Sequence, residues 1–498
     1  MTDVIIIGAG LAGLTAGVYA RLNGYSAKIF EHGRHPGGVV ATWKRGEYTF
    51  EGGMHFLMGY RPGTPIYDLY EEVGLYPGLE VAPLDKYLRF VDEASGRSVL
   101  LSGDLDRVRQ ELSEISPEDV PLINGIVDGA KAMAGSDFGL DALAKAPALL
   151  TPVDRAKMLW GMRSYAKYLL GRYNQEVKEY TAAAKSPLVK KIIDNMFLPE
   201  VPVWFVMMIL AMASEGQLGV IKNGSRDFAE RIAAKFKALG GEIAYRSTVM
   251  EIIVENDTAV GVRLADGTEH RAGTVISAGD GHSTVYELLK GKYINKATKA
   301  RYETWPLMKP FSTVDFGVNR TFDGEPPLSL YSLEKPIEAA GDLHNTLVVR
   351  IFNYTNAFAP PGKAVIQVLL ETDWDSWETD RQDLAAYKAR KEELAAAAQE
   401  FLETRYPGIS GQVEVADVAT PYTLYRYTLN WKGAYEGWAP TPKNITKTIK
   451  RTLPGLDRFY LAGQWVTPGG GVPVSMYTGK HAIQMMCRRD KKQWMAVS

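Results

Sequence analysis

The apolar residues at the start of the chain predict a strand, a helix and a second strand in succession. Residues 4–7 are four branched apolar residues in a row, a pattern typical of a strand buried on both faces. An apolar helix follows and ends at Asn23-Gly24, and residues 27–30 form the next apolar run. This order is typical of a parallel sheet with helices packed on its faces.

A Gly-x-Gly-x-x-Gly sequence joins the first strand to the helix, at Gly8, Gly10 and Gly13. In such a turn the first glycine permits the tight bend, the second lets a pyrophosphate approach the backbone, and the third allows helix and strand to pack closely. The helix N-terminus offers free N–H groups to phosphate. Glu31, at the tip of the second strand, is placed to accept a hydrogen bond from an adenosine ribose hydroxyl. The segment therefore predicts a bound dinucleotide.

The pattern further along the chain predicts a second, larger lobe. Residues 61–215 have mainly helical spacing. A helix over residues 223–239, a strand hairpin at Asp266-Gly267 and a strand at 274–277 return to the pattern of the nucleotide domain. Between residues 311 and 418 the chain has longer alternating strands, interrupted by one helix. The sequence thus predicts a mixed sheet with helices beside the nucleotide domain.

A glycine doublet, Gly37-Gly38, and the segment Gly53-Met54-His55 follow Glu31. Here the chain resembles the FAD-dependent carotenoid desaturases, carotenoid isomerases and retinol saturases of the amine oxidase superfamily. The amine oxidase branch has an arginine after the doublet, whereas this chain has Val39. Small residues at this point are more similar to the isomerase and saturase branches. The resemblance implies that the bound dinucleotide is FAD.

The C-terminal segment carries the second part of this resemblance. Residues 459–463 read as a buried strand ending in glycine, and a Gly-Val-Pro turn precedes the last helix. In the family the turn lies beside the flavin ring, and helix N–H groups there stabilise the negative charge of reduced flavin. Family members usually have an acid where this chain has Gln464. The cofactor-binding residues that the fingerprint and the resemblance imply are Gly8, Gly10, Leu11, Ala12, Gly13, Glu31, His32, Gly37, Gly38, Val39, Gly53, Met54, His55, Val249, Ala278, Gly279, Gly463, Gln464, Gly471, Val472 and Pro473.

The predicted fold class is α/β. It comprises a Rossmann-like FAD-binding domain, similar to the FAD half of glutathione reductase, and a second substrate domain of mixed sheet and helices. The FAD domain is expected from three separate segments, with a helical part and a sheet part of the substrate domain between them. The predicted boundaries are 1–75, 218–300 and 446–498 for the FAD domain, 76–217 for the helical, membrane-facing part and 301–445 for the substrate sheet.

Composition excludes several kinds of site. A formal net charge of −1 gives no reason to expect nucleic acid as a partner. The single cysteine, Cys487, excludes an internal disulfide, and the seven histidines lack metal-ligand spacing, so no metal is expected. The N-terminus is itself a strand without a preceding basic region, so we expect no signal peptide and a cytoplasmic protein.

Two stretches of the chain leave alternative interpretations open. Residues 151–192 carry nine Lys or Arg against three acids, interleaved with aromatic and apolar residues. This pattern fits either a peripheral membrane contact or a packed helix with a solvated basic face. Residues 203–213 are apolar throughout but too short to span a bilayer, which needs roughly 20 residues. That run fits core packing or the wall of a tunnel for a lipid-sized substrate.

The expected reaction is at carbon–carbon bonds of a hydrophobic isoprenoid, polyene or unsaturated lipid: desaturation, saturation or cis–trans isomerisation. Only one dinucleotide fingerprint is present, so we expect electrons to be exchanged directly with oxygen, a quinone or a carrier. Two alternatives are an FAD-dependent amine oxidase and a non-catalytic flavin- or lipid-binding protein. Catalytic residues are not identified; weak candidates are His55 and Tyr427, followed by Asp280, His282 and Arg426.

Overall fold

The first strand and the glycine turn that follows it lie at the centre of a mixed sheet. In the computed structural model, residues 2–136, 143–380 and 382–495 are described. The strands, in chain order, are β1 (Thr2–Ile7), β2 (Ala27–Phe30), β3 (Thr42–Arg45), β4 (Tyr48–Glu51), β5 (Leu57–Met58), β6 (Val81–Pro83), β7 (Lys86–Asp92), β8 (Arg97–Ser102), β9 (Leu218–Ile221), β10 (Glu242–Ala244), β11 (Val249–Glu255), β12 (Thr258–Leu264), β13 (Glu269–Ser277), β14 (Phe311–Val318), β15 (Leu328–Ala339), β16 (Asp342–Ile351), β17 (Ala364–Glu371), β18 (Val413–Ala419) and β19 (Phe459–Leu461).

The helices connect these strands and cover both sheets. Short 3-10 and π turns extend or link several of them. The α-helices of seven or more residues are Leu11–Leu22, Pro65–Glu72, Leu105–Ile115, Val120–Met133, Pro152–Gly161, Pro187–Asp194, Val203–Ser214, Ser225–Ala238, Lys296–Thr304, Trp374–Asp380, Leu384–Arg405, Pro421–Thr428 and Val472–Arg489.

The first sheet has the strand order β10-β2-β1-β13-β12-β11, with β19 also paired to β13. The pairs among β10, β2, β1, β13 and β19 are parallel, whereas β11, β12 and β13 form an antiparallel meander. Strands far apart in sequence thus join one sheet, because β19 pairs with the edge of β13 opposite β1. The α/β fold class predicted from the sequence is confirmed.

The helix Leu11–Leu22 packs between this sheet and the final helix, Val472–Arg489. A Cβ on Gly479 would lie 2.2 Å from the backbone oxygen of Ala12, so the two helices approach as closely as their backbones permit. On the other side, a Cβ on Gly17 would lie 3.0 Å from the ring of Phe236. The close contact fixes the start of the final helix relative to the nucleotide turn.

The second sheet has the order β18-β14-β17-β16-β15-β7-β8. Its pairs are antiparallel except β15 with β7. Strands β7 and β8 come from the 76–217 stretch, which the sequence pattern predicted to be helical. The difference arises because Lys86–Asp92 has several neighbouring apolar residues and becomes a strand only when paired between β15 and β8. The domain boundaries stay a prediction.

The helix Val203–Ser214 is buried along most of its length, with Met207 packed against Gly129. Core packing, one of the two interpretations of this run, is therefore what the structure shows. Among the described residues, no helix combines the length and apolar character needed to cross a membrane.

A buried polar network joins the second sheet to the loop after β4. The guanidinium of Arg350 donates to the backbone oxygen of Met54 at 2.7 Å and to Oε1 of Gln367 at 2.8 Å. Nε2 of Gln367 donates to the backbone oxygen of Glu51 at 2.8 Å and to Oδ1 of Asp315 at 2.6 Å. Because buried polar groups are costly unless paired, this network fixes the loop onto β14, β16 and β17.

Asp315 gives the network a pH dependence. Burial raises its pKa to about 7, against the lowering effect of hydrogen bonds from Gln367 and Thr313. The folded state therefore binds more protons than the unfolded state between about pH 4 and pH 7. The free energy of unfolding then falls as the pH rises through this range.

Replacing Asp315 with Asn should remove this pH dependence while keeping acceptor and donor atoms for both partners. The free energy of unfolding of wild type should fall between pH 5 and pH 8, whereas that of Asp315→Asn should lack this fall. The difference between the two proteins should therefore change by on the order of 2–3 kcal/mol in favour of Asp315→Asn, because one pKa unit is worth about 1.36 kcal/mol. Urea unfolding followed by tryptophan fluorescence measures it. Asp323→Asn, at an exposed position, is the control and should follow wild type. Parallel pH profiles for wild type and Asp315→Asn would contradict the assignment.

Candidate cofactor groove

One groove brings together the N-terminal glycine turn, the end of β13 and the start of the final helix. It encloses about 880 Å³, counting the part open to solvent. Its lining residues are Gly8, Gly10, Leu11, Ala12, Glu31, Gly37, Gly38, Val39, Val40, Gly53, Ala278, Gly279, Thr428, Asn430, Tyr435, Glu436, Gly463, Gln464, Trp465, Gly471, Val472 and Ser475.

Two glycines give the groove its shape by allowing backbone to pack directly on backbone. A Cβ on Gly13 would lie 2.0 Å from the carbonyl oxygen of Gly8, so any side chain there would force the strand–helix turn open. A Cβ on Gly53 would lie 2.0 Å from the carbonyl oxygen of Val39, where the loop after β4 crosses the glycine doublet. Both contacts hold groove-lining backbone in place.

Gly10 is different because its missing side chain leaves open space. A Cβ there would meet no protein atom within 4 Å, and Gly10 lines the groove. It is also the N-cap of the helix Leu11–Leu22, and no side chain caps that helix. The first-turn N–H groups are therefore available to a ligand, as an anionic diphosphate requires.

Glu31 lies in the groove wall at the end of β2. Its Oε2 accepts the Ala9 N–H at 2.6 Å and its Oε1 accepts the Gly33 N–H at 2.6 Å. Burial raises the pKa of Glu31, against the lowering effect of these two bonds. Each carboxylate oxygen keeps a further lone pair, so the side chain can also accept a ribose hydroxyl.

Most of the sequence-predicted cofactor residues line this groove. Those that do so are Gly8, Gly10, Leu11, Ala12, Glu31, Gly37, Gly38, Val39, Gly53, Ala278, Gly279, Gly463, Gln464, Gly471 and Val472. Those that are not among its lining residues are Gly13, His32, Met54, His55, Val249 and Pro473. For all of them a contact with the cofactor stays a prediction.

The residues outside the lining have other partners. Nδ1 of His32 is 2.8 Å from Oγ1 of Thr248, one residue before Val249 at the start of β11. Met54 supplies the backbone oxygen that accepts from Arg350. Pro473 is buried in the first turn of the final helix.

His55 lies next to the groove segment at Gly53 but lines a separate small cavity with Arg350 and Tyr354. Its ring is 5.7 Å from the ring of Phe311, centroid to centroid. Burial, followed by the charge of Arg350, lowers the pKa of His55 to about 3. His55 is therefore neutral near pH 7 and cannot serve as a cationic acid.

The other catalytic candidates lie around the helix Pro421–Thr428 and the end of β13. Tyr427 is 62% exposed, with the Arg426 guanidinium over its ring. The Asp280 carboxylate accepts the backbone N–H groups of Ser283 and Trp431, and burial raises its pKa to about 6. His282 stacks on Trp431 with ring centroids 4.2 Å apart. None of these side chains is among those lining the groove.

Sequence reasoning missed several lining residues. Val40 and Trp465 directly follow predicted positions, Thr428 directly follows the candidate Tyr427, and Tyr435 and Glu436 lie in the same aromatic stretch of sequence. Extending each motif by a few residues would have found them. The remaining ones, Asn430 and Ser475, follow no pattern that sequence alone provides.

Comparison with known proteins identifies the family. The model of flavin-containing amine oxidoreductases matches residues 11–485. The chain belongs to this family. It is therefore an FAD-dependent oxidoreductase, and the groove has the glycines, the free helix N-terminus and the acid that such a cofactor needs.

Two curated members are similar along nearly the whole chain. The chloroplastic prolycopene isomerase of Arabidopsis thaliana is 24% identical over 492 residues, which cover 96% of this chain and 81% of the isomerase. The neurosporene-forming phytoene desaturase of Rhodobacter capsulatus is 26% identical over 528 residues, covering 100% of this chain and 96% of the desaturase.

Solved structures share the fold. Cyclohexylamine oxidase from Brevibacterium oxydans superposes with a TM-score of 0.60 at 15% identity, covering 99% of this chain and 100% of the oxidase. An oxidoreductase from Methanosarcina mazei superposes with a TM-score of 0.62 at 17% identity, covering 97% of this chain and 100% of the oxidoreductase chain.

A valine at Gly10 should block the cofactor without disturbing the protein. The new side chain has room within the protein but occupies the groove. We expect FAD affinity to fall by roughly 100-fold or more, because the diphosphate can no longer approach the helix N-terminus. Quenching of flavin fluorescence during titration of the apoprotein measures it.

Gly411→Val is the matched control, because a Cβ at Gly411 also meets no atom within 4 Å but lies away from the groove. It should bind FAD like wild type. Normal FAD binding by Gly10→Val would show that the groove is not the cofactor site.

Proposed function

We propose that FAD lies in the groove and that the protein acts on carbon–carbon double bonds of a hydrophobic isoprenoid, polyene or unsaturated lipid. The observation that carries the proposal is the groove itself, whose walls include both the first glycine turn and the Gly471-Val472 turn. Similarity to an isomerase and a desaturase named for carotenoid substrates supports the substrate class.

The chain's own groups would bind and orient the cofactor. The N-terminus of the helix Leu11–Leu22 would bind the diphosphate, and Glu31 would accept a ribose hydroxyl. The uncapped N-terminus of the final helix, after Gly471, would direct its N–H groups at the flavin ring. Bound FAD supplies a two-electron exchange with the substrate. The C–H bonds of a hydrocarbon substrate are not acidic. The main task of the protein is therefore to hold the reacting carbon roughly 3–3.5 Å from the flavin ring.

Apart from the acid Glu436, the groove wall near this turn is lined by neutral groups and backed by aromatic rings, which suits a hydrocarbon. Tyr435, in the groove wall, packs on Phe311 with ring centroids 4.8 Å apart, and Phe311 packs in turn on His55. Burial raises the pKa of Tyr435 well above its usual value, and the lowered pKa of His55 keeps its ring neutral. A conjugated hydrocarbon chain can stack on neutral aromatic rings, and it gives up no favourable hydration when it leaves water.

Anaerobic incubation with a panel of polyenes tests the proposal. The FAD-bound protein, oxidised or reduced beforehand, should convert at least one polyene. A mass change of two hydrogens means desaturation or saturation, and unchanged mass with altered geometry means isomerisation. Gly10→Val protein, lacking bound FAD, should do neither. Peroxide formation from amines with no change in any polyene would favour the amine oxidase alternative, and no turnover of either would favour a flavin- or lipid-binding protein.

A second measurement on the same FAD-bound protein identifies the electron partner. An isomerisation at constant flavin oxidation state needs no net partner. A desaturation needs an acceptor, for which we propose oxygen, a quinone or a carrier. Adding each to the reduced protein and following reoxidation of the flavin absorbance identifies the one that reacts.

We also propose that one surface binds a membrane, from which a hydrophobic substrate can be drawn. The surface comprises the helix Pro152–Gly161 and the turns after it, up to Tyr173. No residue of that helix is buried. Four large apolar side chains of the surface are 64–69% exposed, and the only acid in residues 152–173, Asp154, pairs with Lys145. The exposed apolar residues are Val153, Leu159, Trp160 and Leu170, and the basic residues among them are Arg155, Lys157, Arg163, Lys167 and Arg172.

Exposed apolar side chains among cations suit an anionic lipid surface. The combined Leu159→Ser, Trp160→Ser and Leu170→Ser protein should bind anionic vesicles at least about 10-fold more weakly than wild type, because burial of each apolar group in lipid contributes to binding. Vesicle co-sedimentation measures it. Leu343→Ser with Leu384→Ser removes equally exposed leucines elsewhere and should bind like wild type. Equal binding by all three proteins would exclude this surface.

A further inference from the structure

Glu436 is an acid in the groove wall that lacks a partner. Within the described residues its carboxylate makes no hydrogen bond and no ion pair, in contrast to Glu31, which accepts two backbone N–H groups. An ionised carboxylate away from water is costly when nothing pairs with it. Its charge therefore depends strongly on whatever occupies the groove beside it.

The backbone holds Glu436 firmly at the turn before the final helix. A Cβ on Gly470 would lie 2.8 Å from the carbonyl oxygen of Glu436, and a Cβ on Gly437 would lie 3.2 Å from that of Gln464. Nε2 of Gln464 in turn donates to the backbone oxygen of Ala434 at 3.1 Å. The backbone of the segment is thus packed between two groove-lining stretches, and Glu436 lines the groove together with Gly471 and Val472.

The electrostatic surroundings of Glu436 are simple. Burial is the cause that raises its pKa to about 7. The titratable neighbour on its own segment is Tyr435, whose pKa is itself raised by burial and then by Glu436 and Glu371. Glu371, at the end of β17, pairs with Lys309 at 3.5 Å. The Gly469–Gly471 turn and the Gln464-Trp465 stretch that face Glu436 carry no ionisable group.

We propose that Glu436 is a proton-accepting residue of the active site, which takes up one proton from water when the cofactor gains two electrons. The proton binds a carboxylate oxygen and converts the side chain from charged to neutral; no bond to the cofactor forms or breaks. The electrons come from the substrate in the reaction and from dithionite in the test below. The physical reason is that added negative charge in the groove raises the proton affinity of a nearby unpaired carboxylate.

The inference rests on the proposed function, because it needs the redox-active ring to lie near Gly471. It predicts a coupling between reduction and proton uptake. Above about pH 7 the oxidised protein has an ionised Glu436, and the reduced protein has a protonated one. Over that range the uptake of this proton should lower the equilibrium constant for reduction of wild type by a factor of about 10 per pH unit, beyond the pH dependence of the flavin itself. For a two-electron couple this corresponds to a fall in reduction potential of roughly 30 mV per pH unit.

Dithionite titration of FAD-bound protein from pH 5.5 to pH 9, followed by flavin absorbance against reference dyes, measures this slope. Glu436→Gln keeps the shape of the side chain but cannot titrate, so it should lose the additional slope. Glu436→Asp keeps a carboxylate and should retain a slope above that of Glu436→Gln. Glu371→Gln, exposed and outside the groove, should follow wild type.

The same samples separate failure of this inference from failure of the proposed function. If wild type does not bind FAD, the proposed function is wrong. If wild type and Glu436→Gln bind FAD equally and their potentials depend on pH in parallel, Glu436 takes up no proton and the inference is overturned. Should Glu436→Gln fail to fold, the infrared difference spectrum on reduction decides: a protonated-carboxyl band in wild type that shifts in Glu436→Asp supports the inference, and its absence overturns it.

Discussion

The contact of the helix Leu11–Leu22 with the strand before it is the constraint on which the rest of the structure depends. At Gly13 the helix rests directly on the carbonyl of Gly8, and at Gly479 the final helix rests directly on the first. Neither contact leaves room for a Cβ. Together they align two helix N-termini with one groove. The close packing that assembles the sheet thus also brings together two sets of N–H groups that would stabilise an anionic cofactor.

A second constraint links this groove to the rest of the chain. Arg350 and Gln367, on neighbouring strands of the second sheet, bind the backbone of the loop at Glu51 and Met54. The loop carries Gly53 into the groove wall, so hydrogen bonds connect the second sheet to the backbone that forms part of the groove. Breaking one member would leave buried donors or acceptors unpaired, which costs more than the bond itself contributes.

The groove has two acids in its wall, and their surroundings give them different roles. Glu31 is held by backbone N–H groups and suits a fixed acceptor for a neutral hydroxyl. Glu436 is held only by packing of its backbone, so its carboxylate can respond to charge in the groove. Close to it, Tyr435 lines the groove and packs on Phe311, which packs in turn on the neutral ring of His55. An acid with no partner in the described part of the chain, beside neutral rings, fits the proposed reaction, in which charge changes on the cofactor.

The sequence by itself determined the parts whose chemistry is local. Consecutive branched apolar residues, the spacing of Gly8, Gly10 and Gly13, and the glycine-rich turn before the last helix each specify a backbone shape within a few residues, so the α/β class and most groove glycines were predictable. Only the tertiary structure decided that β7 and β8 join the second sheet, and that Arg350 holds the loop at Met54. It also decided that His55 faces a separate cavity and that Glu436 lies in the groove wall without a partner among the described residues. Each of these depends on partners tens to hundreds of residues away, because strand pairing and the environment of a buried charge are set by whichever distant segments pack against them, and no local pattern records that choice.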